Sequence, residues 1–161
     1  AVSLGGSASV GKVLQTVAQN FSSYNTLNTN GRSDLFTQAI TPIVASSKIL
    51  VSFSLAMGNN VTGVSAINLQ RDVNSGGYSE LGQASGAGTH NGAAGGAYDT
   101  DANVLRQISY VYLDSPSYSV GNAITYKLQY YQNSTSNSFI NRTDSNAIRG
   151  TSNIVLMEIG A

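Results

Sequence analysis

Apolar side chains along this chain recur mostly at every second position, the period of a pleated strand whose side chains alternate between two faces. Residues 48–57 show it most cleanly: Ile49, Val51, Phe53, Leu55 and Met57 share one face, opposite Ser52, Ser54 and Ala56. The same period predicts strands over 11–19 (Val13, Gln15 and Val17 against Leu14, Thr16 and Ala18), over 35–40, and over 64–71 with Ile67 and Leu69 facing in. Over 104–113, Ile108, Tyr110 and Tyr112 oppose Leu105, Val111 and Leu113; over 122–132, Ile124, Tyr126, Leu128 and Tyr130 share a face. Short strands follow at 138–142 and 152–159. Pro42 ends the strand before it, because its ring removes a ladder donor. Residues 20–32 are polar turn material under which Tyr24 and Leu27 tuck, and Gly58-Asn59-Asn60 supplies a turn, since these residues tolerate positive φ. Residues 76–96 hold eight of the 17 glycines and read as a loop or a weak strand pair. Eight or nine strands and no helix predict an all-β, antiparallel two-sheet sandwich.

The strand over 152–159 departs from the one-greasy-face rule. Val155, Met157 and Ile159 point one way, Ile154 and Leu156 the other. A strand at a sheet surface needs only one apolar face, so this one requires a cover on both sides. In a chain this small the second cover is expected to be another subunit.

A length of 161 residues suits one domain with its own core. Residues 11–161 read as that domain, and residues 1–10 as a flexible arm whose only sizeable apolar side chains are Val2 and Leu4. Charged residues make up 10% of the chain, with eight Lys plus Arg against eight Asp plus Glu, which leaves no electrostatic attraction for nucleic acid or an acidic membrane. Cysteine is absent, which excludes thiolate metal sites and leaves the redox compartment open. The start has neither a signal-peptide pattern nor a membrane-length apolar run. Ala1 is what remains when an initiator Met is trimmed, so the chain reads as a complete gene product; an extracellular protein without a secretion signal would have to leave its cell another way, for instance by lysis.

Candidate chemistry is sparse. Gly6 and Gly11-Lys12 have the spacing of a phosphate loop, but Val13 stands where a magnesium-holding Ser or Thr is required and no strand precedes the glycines. Asp99, Asp101 and Asn103 open like a calcium loop, yet Val104 replaces its glycine and Tyr110 its closing glutamate. His90 is the single histidine and sits among glycines, where a base is hard to position. The six Asp and two Glu form no pair across a cleft of the kind that glycoside hydrolysis needs. No catalytic residue, metal site or cofactor is therefore expected. Glu158, flanked by Met157 and Ile159, needs a partner, and Arg142 or Arg106 is the expected member of a structural ion pair. The nine tyrosines divide between core and subunit contact, with Tyr126 and Tyr130 assigned to the latter alongside Val155, Met157 and Ile159.

Five short stretches, in order, resemble a virion module common in tailed phages, notably those of marine and cyanobacterial hosts. They are Thr41-Pro42 with Ser46-Ser47-Lys48-Ile49-Leu50-Val51, the Tyr112-Leu113-Asp114-Ser115-Pro116 corner, Tyr126-Lys127-Leu128-Gln129-Tyr130, Ile140-Asn141-Arg142-Thr143, and Ser152-Asn153-Ile154-Val155-Leu156-Met157-Glu158-Ile159. The resemblance implies a jelly-roll subunit similar to the tumour necrosis factor fold, assembled as a homotrimer with its last strand near the threefold axis. It implies display on the virion, either as a capsid decoration (cement) protein or as the receptor-binding knob of a tail or head fibre. The sequence shows no fibre shaft, heptads or collagen-like repeat, which favours decoration. The partners expected are then the chain itself and the major capsid protein, with Val2 and Leu4 of the arm adding to a capsid edge. In the knob reading a host surface receptor takes the capsid's place, touched by 76–96 and 133–137.

Overall fold

A computed structural model describes residues 11–60, 65–85, 92–95, 103–133, 135 and 137–160. Its strands are β1 (Val13–Phe21), β2 (Asn25–Leu27), β3 (Gly31–Ile40), β4 (Lys48–Asn59), β5 (Ser65–Val73), β6 (Ser79–Leu81), β7 (Ala94–Gly95), β8 (Leu105–Asp114), β9 (Ile124–Gln132), β10 (Ser138–Ile140) and β11 (Ser152–Ile159). No helix occurs among the described residues. The long strands are those that the two-residue period marks, except that β3 begins at Gly31, inside the expected 20–32 turn and four residues before the short strand expected over 35–40. The additional ones, β2, β6 and β7, are two or three residues long and too short to show a period.

The strands form two antiparallel sheets. In the first, β11 lies between β1 and β4, β8 pairs along the other edge of β4, and β10 and β2 continue beyond the end of β11. In the second the order is β3-β9-β5, with β6 and β7 both on the free edge of β5. Between the sheets lies one core: Ile49, Val51, Phe53, Leu55 and Met57 of β4 and Ile154 and Leu156 of β11 face Ile67 and Leu69 of β5 and Ile124, Tyr126, Leu128 and Tyr130 of β9. Each of these is shielded almost completely, the arrangement that turns alternation into burial.

Polar links cross this core. Asp114, at the end of β8 in the first sheet, accepts hydrogen bonds from Arg71 (2.7 Å) and from the Tyr126 hydroxyl (2.7 Å), both in the second sheet. Burial first, and then the adjacent Asp114 carboxylate, push the Tyr126 phenol well above the usual range, so it stays a donor. Ser138 donates to Gln132 (2.8 Å), which leaves the Tyr130 hydroxyl to donate to Ser138 (2.8 Å). Tyr126 and Tyr130 thus lie inside the sandwich, and their expected place at a subunit contact is corrected: their inward face carries them into the apolar core, and their hydroxyls are used there.

Two further expectations change. Gly58 and Asn59 belong to β4 and do not form the turn. A side chain at Gly58 would come within 2.5 Å of the Arg142 carbonyl oxygen, so the glycine serves close approach of the 141–143 corner. Leu27 is buried as expected, but Tyr24 is 57% exposed, its ring lying under the Arg149 guanidinium at 4.0 Å.

Replacing Asp114 by Asn strips Arg71 of its counter-charge inside the protein and is expected to cost about 3–5 kcal/mol. Tyr126→Phe leaves that ion pair intact and should cost about 1–2 kcal/mol. Urea unfolding of the two variants measures the difference.

Candidate interface on the outer face of the first sheet

Strand β11 has the two faces that its sequence shows. Ser152, Ile154, Leu156 and Glu158 are buried inside, while Asn153, Val155, Met157 and Ile159 alternate with them at intermediate exposure on the outer surface of the first sheet. Their neighbours follow from the register. Met157 pairs with Leu50, which pairs with Leu113, and on the other side with Thr16. One step along, Val155 pairs with Ser52, which pairs with Val111, and on the other side with Ala18. Two adjacent rows across four strands are therefore mostly apolar, and Val111 (59%) and Leu113 (49%) are open to solvent. Ile159 and Val13, itself half exposed, extend the patch to the end of the sheet.

Toward the other end the same outer face changes character. Ser54 and Ser109 pair there and bond hydroxyl to hydroxyl at 3.0 Å. Beyond them Ala56 is fully buried, and a side chain at Gly150 would come within 3.0 Å of its Cβ. The segment around Gly150 thus covers one end of the outer face and leaves the Val155–Met157 end open. Contiguous apolar surface is what an interface between subunits would require.

Leu50, Val111 and Leu113 were not assigned to this site by sequence. The available signal was that the strand at 104–113, like the last one, carries apolar residues on both faces; Leu50 sits alone between two core positions, and only register places it beside Met157.

Glu158 lies inside, fully shielded, at the end of β11. Gln15 donates to it at 2.6 Å, and the backbone N–H groups of Ile43 and Val44 donate at 3.1 Å. Arg142 sits elsewhere, donating to Thr26 (2.8 Å) and to the carbonyls of Thr143 (3.3 Å) and Asp144 (3.2 Å), with its guanidinium 4.3 Å from the Phe139 ring. The expected Glu158–Arg142 ion pair is therefore replaced by amide donors, because β11 carries Glu158 to the sheet end where the 41–47 turn crosses, while Arg142 follows β10 at the opposite end. Nothing in sequence marks backbone amides as partners. Burial pushes the Glu158 carboxyl up, and the bonds from Gln15 and from the Ile43 and Val44 amides outweigh it and hold the group below its usual range.

Other described carboxylates are held in structural bonds: Asp34 by Gln129 and Lys127, Glu80 by Arg32, Asp144 by Asn60 at 2.7 Å. Among the described residues no group of three His, Cys, Asp or Glu gathers as a metal site. Gly6, His90, Asp99, Asp101, and Val2 and Leu4 of the arm lie outside the described residues. A scan of protein-family models finds no match to the chain, and a search of curated proteins finds none.

Because the folded pKa of Glu158 lies below its unfolded value, its contribution to stability is present above about pH 4.3 and is lost as pH falls through the folded value. Glu158→Gln is expected to cost about 1–3 kcal/mol near neutrality, with the gap to wild type closing on acidification. Urea midpoints measured along a pH series check both the size and the sign.

Proposed function

We propose that the chain is a jelly-roll subunit, similar to the tumour necrosis factor fold, that assembles as a homotrimer through the outer face of its first sheet. We further propose that it serves as a decoration protein on the capsid surface of a tailed phage, made in the bacterial host cytoplasm and bound to the major capsid protein. The observation that carries this reading is the bare apolar surface formed by Leu50, Val111, Leu113, Val155 and Met157 on a sheet whose inner face is already covered. The two rows at its centre hold no charged side chain, Thr16 and Ser52 being their polar members, so threefold packing buries them without an unpaired charge. The strand sequence supports the jelly-roll part: β1, β11, β4 and β8 lie side by side in one sheet and β3, β9, β5 and β6 in the other, so successive long strands often change sheet.

The virion role rests on the five-part resemblance. Its physical logic is multivalency. A trimer seated on a local threefold touches several shell subunits at once, so modest contacts add through effective concentration and must all break before the shell opens.

Sedimentation of the pure chain at micromolar concentration is expected to give a trimer, and Leu113→Lys with Met157→Lys a folded monomer. A wild-type monomer would remove the assembly reading. Cryo-microscopy of the intact particle tests the role: many trimers on the shell are expected, whereas a few copies at the tail would indicate the knob. Deleting residues 1–9 is expected to weaken binding of the trimer to bare shells, and undiminished binding would take the arm out of the contact.

A further inference from the structure

The edge strands of the two sheets, β1 and β3, meet along one side of the sandwich, where the Phe21 and Phe36 rings stack with their centroids 4.0 Å apart. Beside this stack lies a cavity of about 230 Å³ whose apolar walls are Phe21, Tyr24, Leu35, Phe36 and Ile140.

Two irregularities of the backbone shape it. β3 carries a bulge between Asp34, which lies opposite Gln129, and Phe36, which lies opposite Leu128, so Leu35 is an extra residue. Regular alternation would send Leu35 and Phe36 to opposite faces; with the bulge both pack toward the core and both line the cavity. Asn141, also in the lining, takes the left-handed conformation (φ +60°). Its amide donates to the carbonyls of Phe21 and Ser23 (2.8 Å each), and its carbonyl oxygen accepts from Ser152 (2.7 Å). The 21–23 turn is thereby fixed at the cavity before anything enters. Phe21, Leu35 and Phe36 face inward and yet stay only partly buried, because the space between them is not filled. Bulges recur beside binding sites, where they re-aim side chains.

We infer that this cavity is a binding site for a small planar aromatic molecule, neutral or anionic, with one polar edge. Size sets the upper limit: an apolar cavity of about 150 Å³ is enough for benzene, so this one takes one ring or two fused rings, and neither a lipid chain nor an oligosaccharide. Three aromatic walls favour a ring over a branched alkyl group. Ser23 and Asn25, both exposed and separated only by Tyr24, offer hydrogen bonds along one edge. The guanidinium groups of Arg149 and Arg142 lie 4.0 and 5.5 Å from the centre of the Tyr24 ring, and they disfavour a cation. The site is separate from the apolar outer face and stands without the assembly and virion readings.

The chain contains no tryptophan, so indole serves as a probe whose fluorescence can be excited beyond the tyrosine band without protein background. Added to the full chain, indole is expected to show a saturable blue shift with a Kd at or below about 1 mM. Ser23 is exposed and only its backbone carbonyl is used by Asn141, so Ser23→Phe should plug the mouth, weaken binding at least about tenfold and leave the urea midpoint in place. Tyr24→Ala, which removes an exposed wall, should weaken binding severalfold. Tyr78→Ala, at an exposed tyrosine elsewhere, and the Leu113→Lys, Met157→Lys variant of the outer face are expected to bind indole as wild type does. Tryptamine, a cationic indole, should bind more weakly than indole. Absence of a saturable shift, a shift that survives both Ser23→Phe and Tyr24→Ala, or its loss in the outer-face variant overturns the site. Tryptamine binding as tightly as indole overturns the ligand class.

Discussion

Side chains on a pleated strand go alternately to two sides, so two consecutive apolar residues cannot share a cover. In β4 the demand is met simply, because its core residues recur at every second position and one opposing sheet shields them all. In β11 it is not. Ile154 and Leu156 use the second sheet; Val155 and Met157 are left on the other surface beside Leu50, Val111 and Leu113. The core, the exposed face and the reading of the chain as an assembling subunit all descend from that one geometrical rule.

Apolar packing alone would let two sheets slide over one another. Buried polar groups restrict this, since each has only one place where its partner lies. Asp114 reaches across the core to Arg71 and Tyr126, and Tyr130 reaches across to Ser138. The two links sit at opposite ends of β9, so they fix rotation as well as position of one sheet on the other. Desolvating such groups is costly, and the gain lies in a single alignment of the layers.

Much of this was legible in the residues. The inward sets of β4 and β5, Ile49 to Met57 and Ile67 with Leu69, follow from a two-residue period and are buried, and β11 has the two faces its sequence shows. What sequence could not give was whatever depends on which strand lies beside which. Tyr126 and Tyr130 look suited to a surface contact because their hydroxyls favour water, and only the positions of Asp114 and Ser138 explain how the core satisfies them. Glu158 invites a cationic partner, yet its donors are a glutamine 143 residues away and two backbone amides that carry no sequence signature. Gly58 reads as a turn, and its real use appears only when the Arg142 carbonyl is brought against it.

The place of Glu158 on β11 ties two properties of the surface together. Met157 and Ile159 flank it on the outer side of the same strand, while its carboxylate grips the amides beneath Ile43 and Val44. A last strand that peels away takes the grip with it, and the turn then loses its shape along with the sheet. In the proposed trimer, packing against sister copies would hold that strand down. Assembled copies would then keep the 41–47 turn firm and a lone chain would leave it slack, which would give assembly a built-in order and a means of sorting finished pieces from unfinished ones.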